Sequence, residues 1–314
     1  MEIVRGLERS PSPRDAVVTI GVYDGVHLGH QAVLRLVREL ADARALDAVC
    51  VTFDRHPAEV VRPESAPKVL TTTEQKLELL GATGYLDRCL VLRFDAERAS
   101  ETADEFVREV LVDAARARVV VVGADFHFGK GRGGNVALLE QLGADLGFEV
   151  IGVGLVASAP GEPVYSSTRI RDLLGEGDVA GAAALLGHPY EVRGTVERGD
   201  GRGAEIGFPT ANVAVPEQVC LPADGVYGGT FRGTDGVVRV AALSLGTRPT
   251  FYAETGTLLL EAYVLDFEGD LYDQQAAVGF LDHIRGQERF ASVDELIERM
   301  DADVEETRRR GAGR

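Results

Sequence analysis

The sequence predicts an α/β domain built on a parallel sheet, followed by a small all-β domain that ends in one helix. Three observations support this prediction. Strand-like and helix-like segments alternate over the first half, short β-rich runs broken by Gly and Pro fill residues 190–280, and one helical segment closes the chain. The length of 314 residues also fits two domains, which we place at residues 1–186 and 187–314.

The first half carries the pattern of a buried parallel sheet. Apolar runs rich in Val predict strands, at residues 16–20, 48–53, 86–94, 119–122 and 148–156. Helical spacing of apolar residues between them predicts helices, at residues 29–43, 73–80, 103–117 and 138–146. Because each of these helices lies between two strands, the strands should run parallel, and ligands bind such sheets at the carboxyl ends of the strands.

The texture of the sequence changes after residue 186. Before that point, helical spacing predicts two more helices, at residues 167–174 and 179–186. The runs that follow are short and β-rich, which is typical of a small barrel or sandwich: YEVRGTVER, GVYGGTFRG, VVRVAALSLG, LLLEAYVLDF and AAVGFLDHI. A final helix is predicted at residues 292–308, because Ser292 and Glu295 have the spacing of a capping box.

The composition narrows the range of functions. The chain has 50 Asp and Glu against 33 Lys and Arg, a net charge of −17, which argues against broad contact with nucleic acid or with an anionic membrane. A phosphate ligand is still compatible, because a few backbone N–H groups and local cations suffice. The three cysteines form no CxxC or CxxH pair, so neither a disulfide framework nor a structural zinc site is expected. No stretch approaches the roughly 20 apolar residues of a membrane span, and we therefore expect a cytoplasmic protein; the sequence leaves homo-oligomerisation open.

Two histidines lie between the first strand and the first helix. His27 and His30 are three residues apart in a first helical turn and therefore point the same way. The free N–H groups and the dipole of that turn favour an anion such as a phosphate chain. An unperturbed histidine is about one-quarter protonated at pH 7, and a bound triphosphate would raise that fraction. Surface or capping roles for both histidines are the alternative.

Two further motifs have similar positions. GADFHFG, residues 123–129, follows the VVVV strand and precedes Lys130 and Arg132. SSTRIR, residues 166–171, puts hydroxyls at a helix start with arginine one turn inside, which makes a second anion cradle. Each motif alone also fits a turn, a cap or a solvated basic surface, whereas all three in this order are a specific combination.

A second group of residues lies in the β-rich half. GFPTAN, residues 207–212, follows the glycine-rich loop GDGRGAEIG, and the chain has no GxxxxGK[ST] motif, so a kinase here must hold phosphates in another way. Glu261 stands inside the apolar run LLLEAYVLDF, where a carboxylate is unexpected unless it is paired or used. A kinase acting on an alcohol needs such a base or hydroxyl-orienting group. An ordinary hairpin loop and an outward-facing glutamate are the alternatives.

GVYDGVHLGH, GADFHFG and SSTRIR together resemble the adenylyltransferase module of the bacterial bifunctional riboflavin kinase/FAD synthetase family. GFPTAN resembles the riboflavin kinase module of that family, and the similarity runs in one order from about Val17 to Asp303. It implies a Rossmann-like nucleotidyltransferase domain followed by an antiparallel β-barrel kinase domain. The implied function is phosphorylation of riboflavin to FMN with ATP and Mg²⁺, and then adenylylation of FMN to FAD with release of pyrophosphate.

The resemblance also implies roles for individual residues. His27 and His30 meet the ATP phosphates, and Glu261 is the base of the kinase. Nucleotide is bound by Gly21, Tyr23, Asp24, Gly29, Ser167, Thr168, Arg171, Gly207, Thr210 and Asn212. Of these, Thr210 and Asn212 also hold Mg²⁺. Flavin is bound by Asp125, Phe126, Phe128, Arg285 and Phe290.

Three alternatives stay open at this point. Arg248 stands where the family usually carries Asn, which favours a chain with one active and one degenerate domain. A flavin-binding sensor without turnover is the second alternative, and the presence of His27, His30 and Glu261 argues against it. Nucleotidyl transfer to a phosphate other than FMN is the third, and the kinase-like half argues against that.

Overall fold

The computed structural model describes residues 1–7, 14–154, 164–199, 202–248 and 257–311. Internal contacts divide the chain into two compact units, Met1–Ser167 and Thr168–Arg314. From Thr168 onward, the helices predicted at residues 167–174 and 179–186 therefore fall in the second unit, where the N–H of Ala223 donates to the carbonyl of Leu174 at 2.8 Å. The domain boundary expected at residues 186/187 stays a prediction.

The first unit alternates strands and helices as expected. Its strands are β1 (Glu2–Arg5), β2 (Ala16–Ile20), β3 (Asp47–Phe53), β4 (Arg88–Leu92), β5 (Ala117–Gly123), β6 (His127–Phe128), β7 (Gly134–Asn135) and β8 (Glu149–Val153). Its helices are α1 (Leu28–Arg44), α2 (Ala58–Val61), α3 (Thr73–Ala82), α4 (Ala96–Ser100), α5 (Ala103–Phe106) and α6 (Val136–Leu146). A π-helical segment, Val107–Ala114, continues α5, and short 3₁₀ turns occupy Pro63–Ser65 and Lys130–Arg132.

The predicted parallel sheet is confirmed. Within the described residues it has six strands in the order β1-β4-β3-β2-β5-β8, all parallel, while β6 and β7 form a separate hairpin. The strand order reverses between β2 and β5, so the ligand crevice of such a sheet is expected beyond the carboxyl ends of these two strands. The segment of His27 and His30 follows β2, and the segment of Asp125 follows β5.

Apolar packing on both faces explains the continuous hydrophobic runs of the strands. Along β2, Val17 packs with α1 and α3 through Leu34 and Leu77 on one face. Val18 packs on the opposite face with the segment that contains Phe106 and Leu111. The edge strand β1 was not predicted, because its sequence EIVR is mostly exposed and only the pairing with β4 identifies it.

The second unit is a closed barrel, which excludes the sandwich alternative. Its elements are α7 (Ser167–Gly175), α8 (Val179–Leu186), β9 (Tyr190–Glu197), α9 (Arg202–Glu205), β10 (Ala211–Ala214), β11 (Gly225–Arg232), β12 (Val238–Arg248), β13 (Thr257–Val264), β14 (Gln275–Arg285) and α10 (Val293–Gly311). Among the described residues the strands close in the antiparallel order β10-β13-β12-β11-β14-β9. Aromatic side chains fill its interior, among them Tyr190, Tyr227, Phe231 and Phe280.

The final helix starts where its capping residues predict. The N–H of Glu295 donates to Ser292 Oγ at 3.1 Å, and Glu295 Oε2 in turn accepts from the N–H of Ala291 at 2.8 Å. The helix extends beyond the predicted end at residue 308 to Gly311, where Arg309 pairs with Glu306. It packs on the outside of the barrel, mainly against β11 and β12.

Candidate active sites

His27 and His30 form a stacked pair at the start of α1. Their ring centroids lie 3.6 Å apart with planes 20° from parallel. His27 caps the helix, because its Nδ1 accepts the N–H of His30 at 3.3 Å. The capping alternative is therefore correct for one nitrogen of His27. It is compatible with ligand binding, since a neutral His27 that accepts at Nδ1 carries its proton on Nε2.

The environment of His30 keeps that side chain neutral. Burial, the adjacent His27 ring and the Lys76 ammonium all lower the pKa of His30 well below 6.5. Its Nδ1 is buried and has no hydrogen-bond partner within the described part of the chain. The partial protonation expected for an unperturbed histidine thus does not hold in the ligand-free protein. A buried polar atom of this kind is usually paired, and a ligand is a natural partner.

Small and aromatic residues pack around the two histidines. Gly29 lies against His27, since a Cβ there would stand 3.1 Å from the imidazole ring. Gly21 likewise leaves room for the ring of Tyr23. Tyr23 is buried, its hydroxyl lies 2.7 Å from Thr19 Oγ1, and its ring centroid lies 5.0 Å from that of His30. The Tyr23 ring thus packs against the His30 ring.

Asp24 organises a loop. Its buried Oδ1 accepts the backbone N–H groups of Leu70 at 2.8 Å and Thr71 at 3.1 Å. The hydroxyl of Ser167 donates to the backbone carbonyl of Asp24 at 2.9 Å, which ties Ser167 to the loop after β2. A nucleotide contact by either residue stays a prediction. Thr168 and Arg171 belong to the second unit, and their nucleotide contacts also stay predictions.

The predicted flavin residues after β5 separate into exposed and buried members. Asp125 is exposed, whereas Phe128 is buried and packs with Phe106 and Phe126 in the core. The rings of Phe126 and Phe128 are stacked, 5.4 Å apart. Their contacts with flavin stay predictions.

Lys76 is a residue that the sequence reasoning missed. It lies in the first turn of α3, is only 5% exposed, and donates from Nζ to the carbonyl of Phe53 at 2.7 Å. Burial lowers its pKa. Its effect on His30 links it to the histidine pair, and the separation of 46 residues between them hides that link in the sequence.

In the barrel, one cross-strand row brings the second group of predicted residues together. Asn212 on β10 is the register partner of Glu261 on β13, and Glu261 is the partner of Ser244 on β12. Ser244 pairs with Val226 on β11, and Val226 pairs with Arg285 on β14. Directly opposite residues share a face of the sheet. This row lies on the outside of the barrel, because the neighbours of Glu261 along β13, such as Ala262, are buried inside.

A cleft of about 250 Å³ lies over this row and is called the barrel cleft below. Its floor is the barrel surface, and one wall is the face of α10 that carries Leu296, Met300 and Val304. Residues predicted from the sequence that line it are Thr210, Glu261, Arg285 and Phe290. Residues that the sequence reasoning missed are Ser244, Tyr263, Gln287 and Asp303. Glu261 is thus an outward-facing strand residue, as one alternative stated, but it lines a covered cleft.

The described ends of the glycine-rich loop approach Thr210 and Asn212. A Cβ on Gly199 would lie 2.1 Å from Asn212 Nδ2, and a Cβ on Gly203 would lie 3.5 Å from Thr210 Oγ1 and 2.4 Å from the carbonyl of Phe208. Glycine therefore allows the loop backbone to reach the predicted ATP-binding side chains. Gly207 has φ of 91°, a conformation that glycine adopts without strain.

One expectation falls on a part of the chain that the structure leaves undescribed. Residues 249–256 lie outside the described residues, and so does the side chain of Arg248. The effect of Arg248 on a flavin pocket therefore stays a prediction.

The described residues contain no cluster of three or more His, Cys, Asp or Glu that could hold a metal ion. They also contain no helix long and apolar enough to cross a membrane.

Comparisons with known proteins identify the two units separately. Residues 9–169 match the family model described as FAD synthetase, and residues 186–310 match the family model described as riboflavin kinase. The bifunctional riboflavin kinase/FMN adenylyltransferase of Escherichia coli (strain K12) is 38% identical over 298 residues, which cover 94% of this chain and 93% of that protein. The protein of the same name from Pseudomonas fluorescens is 39% identical over 305 residues, with coverages of 97% and 96%.

One solved structure matches almost the whole chain. A crystal structure described as a macrolide-efflux protein from Streptococcus pneumoniae has a TM-score of 0.86 and 32% sequence identity, and the match covers 98% of this chain and 99% of that chain. The description as an efflux protein applies to the Streptococcus pneumoniae protein. The match shows that the two chains share their fold.

Proposed function

The chain belongs to the bifunctional riboflavin kinase/FMN adenylyltransferase family, and we propose that each of its two activities resides in one of the two units. It phosphorylates riboflavin to FMN with ATP and adenylylates FMN to FAD with release of pyrophosphate. One observation carries the assignment to units: the FAD synthetase match lies almost wholly in the unit with the histidine pair, and the riboflavin kinase match lies within the unit with the Asn212–Glu261 row.

In the kinase unit, we assign Glu261 as the base. It would accept the proton of the terminal ribityl hydroxyl while that oxygen attacks the γ-phosphorus of ATP, and ADP would leave. Its place on the floor of a cleft beside the apolar face of α10 supports this role, because a carboxylate there is partly withdrawn from water. The glycine-rich loop that reaches Asn212 supports binding of phosphates close by.

Thr210 and Asn212 fit a site for Mg²⁺. Hydroxyl and amide oxygens are ligands that Mg²⁺ accepts, and the cation commonly takes few protein ligands beside substrate phosphates. The register pairing of Asn212 with Glu261 would put such a cation next to the base. When bound, Mg²⁺ would neutralise charge on the β- and γ-phosphates.

In the adenylyltransferase unit, we propose that His27 and His30 hold the triphosphate of ATP. The FMN phosphate would attack the α-phosphorus, and pyrophosphate would leave. A neutral His27 that accepts at Nδ1 has an Nε2–H that a phosphate oxygen can accept, and His30 Nδ1, which has no hydrogen-bond partner among the described residues, can also meet the ligand. The N-terminus of α1 adds its N–H groups and dipole, so the unit stabilises charge without forming a covalent intermediate.

The test is a time course of flavins separated by chromatography after incubation of the purified protein with riboflavin, ATP and Mg²⁺. We expect FMN first and FAD later. Glu261→Gln should stop FMN formation and leave FAD formation from supplied FMN intact, whereas His30→Gln should do the reverse. If either change weakened both reactions equally, the assignment of one activity to each unit would be wrong.

The same experiment separates the alternatives. FMN without FAD would indicate a degenerate adenylyltransferase, and FAD only from supplied FMN would indicate a degenerate kinase. If no product formed from riboflavin or from supplied FMN, a flavin-binding sensor would be favoured. A cytoplasmic location and a homo-oligomeric state stay predictions.

A further inference from the structure

An ion pair in the wall of the barrel cleft has no part in the chemistry proposed above. Arg285 Nε lies 3.1 Å from both carboxylate oxygens of Asp303, and Arg285 Nη2 donates to Asp303 Oδ2 at 2.7 Å. The two side chains are only 10% and 8% exposed. Asp303 comes from α10 and Arg285 from the end of β14, and both line the cleft. This is the forked geometry in which arginine–carboxylate pairs are strongest.

Other contacts restrict the Arg285 guanidinium further. Nη1 donates to the carbonyl of Gly286 at 3.0 Å, and Cζ lies 5.7 Å from the centroid of the Phe290 ring. The orientation of the guanidinium is therefore set before any ligand binds. A side chain that is already ordered loses less conformational entropy when a ligand packs against it.

A β-bulge brings Arg285 onto the row that contains Glu261. The pairing of β11 with β14 shifts between Val226 and Tyr227, which places Arg285 opposite Val226. Arg285 and Glu261 are then three strand spacings apart, at most roughly 14 Å between Cα atoms. A substrate that presents its terminal hydroxyl to Glu261 would extend its ring system along the row toward Arg285 and Phe290.

We propose that Asp303 is a positioning residue for riboflavin, which holds the Arg285 guanidinium toward the bound flavin ring and balances its charge inside the cleft. Planar guanidinium groups stack on aromatic systems, and this contact needs a fixed orientation. The inference rests on the proposed kinase function. It assigns Asp303 no contact with the reacting atoms, so replacement of Asp303 should affect binding of riboflavin more than turnover.

The test is Asp303→Asn, which keeps the size of the side chain and removes its charge. Riboflavin affinity is measured by quenching of flavin fluorescence without ATP, and FMN formation gives kcat and KM. We expect Kd and KM for riboflavin to rise about tenfold, which is about 1.4 kcal/mol of binding free energy, while kcat stays within about twofold. FAD formation from supplied FMN should not change and reports an intact first unit.

The matched control is Asp266→Asn on the same side of the barrel unit. Asp266 accepts from Arg308 of α10 at 2.6 and 3.0 Å, but this pair is exposed and does not line the cleft. We expect no change in riboflavin affinity. An equal loss of affinity in both variants would show that anchoring of α10 matters rather than Arg285, and would overturn the proposal.

A double-mutant cycle tests whether Asp303 acts through Arg285. In an Arg285→Met background, Asp303→Asn should change riboflavin affinity by less than about twofold, because the partner is already gone. A further tenfold loss would overturn the proposal. Should Asp303→Asn fail to fold, Arg285→Lys tests the same orientation, because lysine keeps the charge but lacks the planar fork; unchanged KM in that variant would refute it.

The outcomes also distinguish this inference from the proposed function. If the unaltered protein makes no FMN, the kinase assignment fails. If it makes FMN and Asp303→Asn binds riboflavin with unchanged affinity, only the positioning role of Asp303 fails.

Discussion

Replacement of Gly199 by alanine tests the phosphate-binding role of the glycine-rich loop. A Cβ at residue 199 would lie 2.1 Å from Asn212 Nδ2, whereas ordinary contacts begin at 3.4 Å. To reach an ordinary contact, the amide of Asn212 or the loop would have to move by 1.3 Å, the difference between these two distances. A displacement of about 1 Å at a site that positions reacting groups can lower the rate about 10²-fold.

We expect Gly199→Ala to lower kcat for FMN formation by about this factor and to leave FAD formation from FMN unchanged. Thermal stability should change little, because the atom in conflict is the end of a side chain that can rotate away. The matched control is Gly175→Ala in the same unit, where a Cβ meets nothing within 4 Å. Normal kinase activity in Gly199→Ala would refute the proposal that this loop and Asn212 cooperate in binding ATP.

Two further predictions concern the first unit. His30 has a pKa lowered well below 6.5, so the unfolded chain binds a proton that the folded protein does not, and stability should fall as the pH drops below about 6.5. Calorimetry should show that the drop in stability between pH 7.5 and pH 5.5 is smaller in His30→Gln than in the unaltered protein. An equal drop in stability would contradict the lowered pKa of His30. Tyr23→Phe removes a buried hydroxyl 2.7 Å from Thr19 Oγ1 and should destabilise the first unit by about 1–3 kcal/mol in urea unfolding. An unchanged midpoint would mean that this bond contributes nothing.

Local patterns were sufficient for most of the first unit. The run at residues 16–20 predicts β2 with its observed bounds, because a strand buried on both faces needs continuous apolar residues. The Ser292 cap of α10 was also predicted, since capping depends on residues only three apart. The exposed edge strand β1 escaped because its residues carry no such pattern.

The sites were predictable in part. His27, His30, Thr210, Asn212 and Glu261 could be named from motifs, because chemistry that depends on neighbouring residues leaves a short-range signal. Lys76, Asp303 and Gln287 could not, since each contributes to its site through contacts with residues distant in the chain.

The sequence by itself thus determined the fold class, the two nucleotide-related motif groups and the choice of family, all of which depend on local spacing and residue type. Only the tertiary structure decided how those residues are used. It shows that Nδ1 of His27 caps a helix and that Oδ1 of Asp24 accepts from the backbone N–H of Leu70. It also shows that a β-bulge places Arg285 on the Glu261 row. The physical reason is that strand register and burial join residues far apart in the chain, and these contacts decide which polar atoms are left for a ligand.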